Sequence, residues 1–221
     1  MCGRFSFYYE WNETLKYFGI RDSIPAPPPR YNIAPGQGIH AIIQNGSVRK
    51  IGELRWGLVP DWAKDESIGY KMINARAGTL NEKPAFKRLI ARRRCIIPAD
   101  GFYEWRKDEG RKQPMRITLV SRPLFGFAGL WDTWTRPDGS KLSTCTIITC
   151  TSNELMDQIH DRMPVILSRE DESTWLDRDA SDAEHAMNVL RPYPAGDMQA
   201  FLVSNAVGNW RNDTPDIVRP I

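Results

Sequence analysis

The sequence has little cysteine, little histidine and no long apolar run, and each scarcity excludes a class of protein. Its 221 residues include four cysteines and three histidines. No two cysteines form a Cys-x-x-Cys pair, and no ligand spacing is present, so we expect neither a disulfide framework nor a metal or cofactor. No stretch approaches the roughly 18 apolar residues of a membrane span. The N-terminus lacks a basic region followed by an apolar one, so we predict no secretory signal and a cytoplasmic protein with free thiols.

The chain also lacks a strong excess of either charge. It has 30 basic and 27 acidic residues, a formal net charge of +3 and a pI near 8.7, which permits a nucleic-acid partner without requiring one. The basic residues are clustered, however, and the eight tryptophans offer rings that can stack on bases. The predicted basic patch consists of Lys83, Lys87, Arg88, Arg92, Arg93 and Arg94, with Arg30, Arg111 and Lys112 in addition.

The patterning predicts an α+β fold. Apolar, β-branched and aromatic runs predict strands, and Asn45-Gly46 predicts a hairpin. The predicted strands cover residues 38–44, a segment ending near Trp56, and residues 94–98, 102–106, 115–120, 124–131, 142–150 and 198–204. Helices are predicted over 84–94, over 152–160 with Ser152 as the cap, and after Ser181 with Glu184 as a capping box. The proline-rich residues 24–36 are too short to separate domains and are expected to run extended across the surface. We therefore predict a single domain over residues 1–221, with a mostly antiparallel, barrel-like folded sheet and a few flanking helices.

Met1-Cys2-Gly3 offers a reactive group at the N-terminus. An initiator methionine before a small residue is commonly removed, which would leave Cys2 with an amine of pKa about 7.7–8.0 and a thiol of pKa about 8.5. Such a 1,2-aminothiol condenses with an aldehyde to a five-membered thiazolidine, which no internal cysteine can form. The alternative is that Cys2 is only a small residue near a frayed terminus.

Three further segments contain residue types suited to chemistry, and each also has a structural interpretation. Asn74 and Arg76 offer an amide and a phosphate-binding guanidinium, or else a turn and a surface arginine. Glu104 lies between aromatic residues in a predicted strand, where burial would suit it to acid–base work, although a solvent-facing glutamate is more common. His160 follows a predicted helix, where it could act in catalysis or cap the helix end.

Taken in order, the motifs resemble those of the SRAP family, the SOS-response-associated peptidases, also called abasic site processing proteins. The resemblance runs from Cys2 to about Asn209. It is specific because long motifs occur in the family's order. The motifs are MCGRF, RYNIAPG, WGLVPDW, NARAGT, CIIPADGFYEW, IHDRMPVIL and SNAVGN.

The resemblance implies a DNA-damage function. It implies that the protein binds single-stranded DNA and that Cys2 forms a thiazolidine with the opened sugar of an abasic site. Asn74 would position the amine, Glu104 would act as the general acid–base, and His160 would stabilise the sugar hydroxyl and the imine. Contacts to DNA are implied for Gly3, Arg4, Asn32, Pro35, Trp62, Arg76, Trp105 and Arg162. We expect a monomeric enzyme with lyase-type imine chemistry and, at most, self-processing peptidase activity.

Two other functions remain open at this point. Met-Cys-Gly also begins the class II glutamine amidotransferases, in which the Cys amine is the base for its own thiol. That interpretation requires glutaminase activity and usually a synthase domain, for which 221 residues leave little room. A non-catalytic single-strand-binding module would bind intact and abasic DNA alike and would tolerate the loss of the Cys2 thiol.

Overall fold

The computed structural model describes residues 2–22, 24–108, 110–177 and 183–221. They form two β-sheets with short helices between the strands. The strands are β1 Phe5–Phe7, β2 Arg30–Ile33, β3 Gly38–Asn45, β4 Val48–Trp56, β5 Asn74–Arg76, β6 Arg94–Ala99, β7 Gly101–Asp108, β8 Arg111–Leu119, β9 Phe125–Thr135, β10 Lys141–Thr151, β11 Arg162–Pro164, β12 Ile166–Leu167 and β13 Met198–Leu202. The α-helices are α1 Trp11–Tyr17, α2 Pro84–Arg92, α3 Glu154–Asp157, α4 Arg169–Leu176 and α5 Ala183–Met187. Within those ranges, no helix is long and apolar enough to span a membrane.

Five strands of the larger sheet close into a barrel. β3 pairs with β4 and β6, β6 pairs with β9, β9 pairs with β10, and β10 pairs with β4 to complete the ring. Every pairing is antiparallel except those that β10 makes with β4 and with β5. The predicted α+β fold with a mostly antiparallel, barrel-like sheet is therefore confirmed.

The smaller sheet, in the order β13-β8-β7-β1-β2, packs on the barrel through aromatic rings. The ring centroid of Phe5 lies 5.3 Å from that of Trp56 and 5.8 Å from that of Phe127, in edge-to-face arrangements. Phe102 approaches Phe127 to 6.0 Å. Such pairs contribute about 0.5–1.5 kcal/mol each beyond the area they bury. The N-terminal strand is thus anchored in the core by Phe5.

The hairpin predicted at Asn45-Gly46 is confirmed, and a second hairpin has a similar turn. β3 and β4 meet at the pair Asn45↔Val48, and Gly46 has a φ of +56°, which a glycine adopts without strain. β9 and β10 are joined through a turn with Gly139 at a φ of +84°. Asn-Gly and Asp-Gly pairs signal such turns in sequence because a positive φ is required there.

Two local predictions are wrong. The proline-rich segment is not a surface loop throughout, because its residues 30–33 form β2 and bury Asn32 and Ile33. The helix predicted over 152–160 is shorter, and its cap is Asn153, whose side chain accepts a hydrogen bond from the Met156 amide. The predicted cap Ser152 instead donates to Asp157 on the surface. Ser181, predicted to cap a helix together with Glu184, lies outside the described residues.

Several short elements were not predicted. α1 has seven residues, too few for a clear helical period, and its cap is the side chain of Glu10. α4 did have a signal, because Ser168 caps it and Asp171 follows three residues later. β1 and β11 have three residues each, and only their partners in the sheets define them.

A buried ion pair joins the barrel strand β6 to β1, β7 and β8. Asp100, between β6 and β7, accepts hydrogen bonds from the Ser6 hydroxyl at 2.6 Å and from the Tyr9 amide at 3.1 Å, and it pairs with Arg116 at 3.2 Å. The two charged side chains are only 5% and 7% exposed. Gly101 makes room for them, since a Cβ there would lie 2.7 Å from the Arg116 guanidinium. This network fixes the N-terminal strand beside β7.

We predict that Asp100→Ala lowers the free energy of unfolding by about 3–5 kcal/mol, because it leaves the charge of Arg116 buried without its partner. Urea denaturation followed by circular dichroism measures the change. The matched control is Asp216→Ala, whose carboxylate is 79% exposed and pairs with Arg219 at the surface. The control should change the stability by less than about 0.5 kcal/mol. Equal effects of the two substitutions would contradict the role given to Asp100.

Candidate active site

Strand pairing brings the N-terminus alongside Glu104. β1 and β7 are antiparallel with Phe5 opposite Phe102, and the Tyr103 amide donates to the Arg4 carbonyl at 2.9 Å. Continued toward the N-terminus, this register leads Cys2 past Glu104. Cys2 is fully buried in the hydrophobic core, as a small apolar residue or a positioned reactive group would be.

The environment of Cys2 keeps its thiol protonated. Burial raises the pKa of the thiol, and the negative charge of Glu104 raises it further, while a hydrogen bond from the Arg4 backbone N–H opposes both effects. Glu104 is itself only 3% exposed, so it is not a glutamate on the solvent face of the strand. A carboxylate within electrostatic reach of a buried thiol is suited to accept the thiol proton.

Asn74 presents an unpaired acceptor. It begins β5, opposite Ile147 of β10, and its Nδ2 donates to the neighbouring Ile73 carbonyl at 3.1 Å. Its Oδ1 is buried and has no hydrogen-bond partner in the part of the chain that the structure describes. An unsatisfied buried acceptor costs about 1–3 kcal/mol, so a donor from a substrate or from a processed N-terminus would relieve it.

His160 is held in one orientation. It lies between α3 and β11, its amide donates to the Met156 carbonyl at 2.7 Å, and its side chain is 27% exposed. The ring Nδ1 accepts from the Arg162 amide at 3.0 Å and lies 2.8 Å from an Asp161 carboxylate oxygen. The Arg162 amide can donate to Nδ1 only when Nδ1 has a free lone pair. The Asp161 carboxylate can accept from Nδ1 only when Nδ1 has a proton. The ring therefore has a partner for Nδ1 in either protonation state.

Two surface grooves meet at Arg76. Arg76 and Arg162 flank β10, paired with Thr149 and Thr151 respectively. One groove, of about 580 Å³, is lined by Trp62, Lys71, Met72, Asn74, Arg76, Thr79, Glu82, Lys83, Pro84, Ala85 and Phe86. The other, of about 380 Å³, is lined by Arg76, Ala77, Gly78, Thr79, Thr149, Cys150, Thr151, Asp161 and Arg162. Sequence reasoning missed Lys71, Thr149 and Thr151, because only the pairing of β10 with β5 and β11 brings the threonines to a groove.

Trp62 is an exposed ring on an anchored turn. It is 55% exposed and lines the same groove as Asn74. The preceding Asp61 pairs with Arg88, and its amide donates to the buried Asp132 carboxylate at 3.1 Å. Arg88 also reaches Asp132 at 2.6 Å. The turn that presents Trp62 is therefore fixed by an ion-pair network.

Other predicted contact residues are half-buried or buried. The guanidinium of Arg4 donates to Asn32 at 2.7 Å, and Asn32 is completely buried. Trp105 is half-buried beneath that guanidinium, 5.9 Å from it, and Pro35 lies in a half-buried turn. Gly3 is half-buried beside Cys2. The structure thus brings Trp62, Arg76 and Arg162 to the grooves, and it gives Arg4 and Asn32 internal partners.

The predicted basic patch is smaller than the sequence indicates. Arg94 is 2% exposed and donates to backbone carbonyls, among them that of Trp175. Arg88 is paired with two aspartates, and Arg30 pairs with Asp213 at 2.6 Å. Lys83, Lys87, Arg92 and Arg93 of the patch are exposed. Among the described residues, no group of three or more His, Cys, Asp or Glu side chains is arranged to hold a metal ion.

Comparisons with known proteins agree along the whole chain. Residues 1–210 match the family model of the SOS response associated peptidase (SRAP). Abasic site processing protein YoqW of Bacillus subtilis is 51% identical, over 99% of this chain and 99% of that protein. Abasic site processing protein HMCES of Xenopus tropicalis is 31% identical, over 87% of this chain and 66% of that protein. A crystal structure of a protein from Bacteroides thetaiotaomicron has a TM-score of 0.89 at 29% identity, with 100% of both chains covered.

We predict that Glu104→Gln accelerates alkylation of Cys2 by iodoacetamide at mildly alkaline pH. The substitution removes a negative charge that raises the pKa of the thiol, so that pKa falls and more thiolate forms at a given pH. Peptide mass spectrometry measures the extent of alkylation at each cysteine over time.

Cys150 is the internal control for this experiment. Burial raises the pKa of its thiol to about 12, and Glu104 makes no contribution there. Its alkylation should therefore be unchanged in Glu104→Gln. Acceleration at both cysteines would indicate a loosened fold, and no acceleration at Cys2 would contradict the electrostatic effect of Glu104.

Proposed function

Because this chain belongs to the SOS response associated peptidase (SRAP) family, we propose that it binds single-stranded DNA at abasic sites and links Cys2 covalently to the opened sugar. The observation that carries the proposal is the burial of Cys2 within electrostatic reach of the Glu104 carboxylate. The names of the relatives, which process abasic sites, agree with it. We further propose that the protein works as a monomer in the cytoplasm and, in a bacterial host, at the nucleoid.

The proposed reaction requires a free amine at Cys2, which hydrolysis of the Met1–Cys2 peptide bond supplies. The amine attacks the aldehyde carbon of the opened sugar and, with loss of one water, forms an imine. The thiol sulfur then adds to the imine carbon, and the thiol proton moves to the imine nitrogen. The C=O bond of the aldehyde is replaced by one C–N and one C–S bond in a thiazolidine ring, and one water is released.

The raised pKa of the thiol orders these steps. A buried thiol beside a carboxylate forms little thiolate, which is the nucleophilic form, so the amine reacts first. The protonated imine then places a positive charge close to the sulfur, which lowers the pKa of the thiol when the second bond must form. Glu104 is suited to accept the thiol proton and to return it to the nitrogen.

Asn74 and His160 complete the proposed site. The unpaired Oδ1 of Asn74 is suited to accept a hydrogen bond from the Cys2 amine or from a sugar hydroxyl. His160, with Nδ1 held by the backbone, is suited to exchange a proton with the sugar oxygen during ring opening. On this proposal the thiol traps the imine before β-elimination can break the DNA strand, so the adduct protects the lesion.

The grooves at Arg76 supply the proposed DNA contacts. Arg76 and Arg162 lie on either side of β10 and would bind phosphates that flank the lesion. The exposed ring of Trp62 would stack on a neighbouring base, which contributes about 1–3 kcal/mol without sequence preference. Sequence-independent contacts of this kind suit a target that has lost its base.

We predict that the native protein and an abasic single-stranded oligonucleotide form a product whose mass equals that of the protein without Met1, plus the DNA, minus one water. Cys2→Ser keeps the amine but closes a poorer ring, so it should give little heat-stable adduct and more cleaved strand. Intact-mass measurement and a denaturing gel record both outcomes. Intact DNA is the control and should give no adduct.

Three results would contradict the proposed reaction. A heat-stable adduct of Cys2→Ser, formed as well as by the native protein, would show that the thiol is not in the linkage. Glutaminase activity without an adduct would favour an amidotransferase. Equal binding of intact and abasic DNA without any adduct would favour a non-catalytic binding module.

We also predict that Arg76→Ala and Arg162→Ala each weaken DNA binding and reduce the slope of log affinity against log salt by about 0.7, the value for one lost single-strand phosphate contact. Fluorescence anisotropy at several salt concentrations measures the slope. Arg136→Ala is the matched control, because Arg136 lies at the β9–β10 turn, at the opposite end of β10. An unchanged slope in both test variants would show that these arginines do not bind phosphate.

A further inference from the structure

A completely buried asparagine joins the N-terminal strand to a segment near the end of the chain. We call residues 205–213 the C-terminal segment. The Oδ1 of Asn32, in β2, accepts from Arg4 Nη1 at 2.7 Å. Its Nδ2 donates to the carbonyls of Val207 at 3.2 Å, Asn209 at 3.1 Å and Asn212 at 2.8 Å. Both ends of this amide are therefore used inside the protein.

The Arg4 guanidinium is directed to the same segment. Besides Asn32, it donates to the Val207 carbonyl at 2.5 Å and to the Gly208 carbonyl at 3.4 Å. The Cζ atom of the Arg4 guanidinium lies 5.9 Å from the centroid of the Trp105 ring. A DNA phosphate would have to compete with these partners for the two terminal nitrogens, and the remaining donor, Nε, is buried.

The backbone of Arg4 connects this network to the reactive end of the chain. Arg4 follows Cys2 by two residues, and its carbonyl accepts from the Tyr103 amide at 2.9 Å. Tyr103 immediately precedes Glu104 in β7. The backbone of Arg4 therefore links the chain next to Cys2 to the strand that contains the carboxylate.

Asp213 fixes the other end of the C-terminal segment to β2. Its carboxylate accepts from the Tyr31 amide at 2.5 Å, from the Asn32 amide at 2.9 Å and from the Arg30 side chain at 2.6 Å. The segment is thus attached to β2 by both a buried amide and a carboxylate.

We propose that Arg4 and Asn32 are positioning residues that hold Cys2 against Glu104 by tying β1 to the C-terminal segment, and that neither contacts DNA. The proposal rests on the function proposed above and replaces the DNA contacts that the sequence resemblance implies for these two residues. The rate of adduct formation should depend on both residues, whereas DNA affinity should not.

Arg4→Lys separates the two roles. A lysine can still bind a phosphate as a point charge, but it has no planar fork with which to reach Asn32, Val207 and Gly208 together. We expect adduct formation to slow by about 10- to 100-fold, the effect of a small misplacement of a reacting group. The affinity for an oligonucleotide with a tetrahydrofuran abasic analogue, which has no aldehyde, should be unchanged, as should its salt slope.

The controls keep the inference falsifiable. Arg219→Lys, at a residue 72% exposed and paired with Asp216, should leave all three measurements unchanged. Thermal unfolding reports whether each variant folds. Asn32→Asp, which keeps an acceptor for Arg4 but removes the Nδ2 donors, is the second test and should also slow the adduct selectively.

Two results would overturn the inference. One is a native rate of adduct formation in folded Arg4→Lys. The other is weaker binding of the analogue by Arg4→Ala, with a lower salt slope, that Arg4→Lys restores, since this would show a phosphate contact. If the native protein forms no adduct, the proposed function fails, and the inference is decided by iodoacetamide. Faster alkylation of Cys2 in Arg4→Lys would then support it, and an unchanged rate would overturn it.

Discussion

The pairing of β1 with β7 is the constraint on which the candidate site depends. A terminal residue is normally mobile, yet a reaction that needs the terminal amine and thiol together needs them fixed beside a proton carrier. The antiparallel pairing of β1 with β7, followed from Phe5↔Phe102 toward the N-terminus, brings Cys2 to Glu104. The ring of Phe5 anchors this pairing in the barrel core. Position and rigidity at the terminus thus come from the same three-residue strand.

Burial has opposite consequences for the two halves of the site. At the Cys2 end, low exposure raises the pKa of the thiol and makes the charge of Glu104 effective over a short distance. At the groove end, Arg76 and Trp62 are exposed and keep their charge and ring surface available. Asn74 lies at the junction, in the groove wall but with a buried acceptor. The candidate site therefore joins a buried interior to a surface that presents a guanidinium and an aromatic ring.

The sequence predicted the strands well because their signals are local. Asn45-Gly46 and the run over residues 102–106 identify β3, β4 and β7 without knowledge of their partners. The side of β7 on which Glu104 lies could not be predicted, because Phe102, Tyr103 and Glu104 are all buried and show no alternation. The motifs predicted candidate residues, and the pairing of distant strands decided which of them face a groove.

Arg4 and Asn32 show why residue type near a reactive centre is a weak guide to role. An arginine two residues from Cys2 has the chemistry of a phosphate ligand, and its immediate sequence neighbours point to no other role. Its partners are the Asn32 side chain, 28 positions away, and carbonyls 203 and 204 positions away along the chain. A contact across that separation forms only when the small sheet and the end of the chain are both in place. The surroundings of Cys2 consequently depend on the completed fold rather than on the N-terminal strand alone.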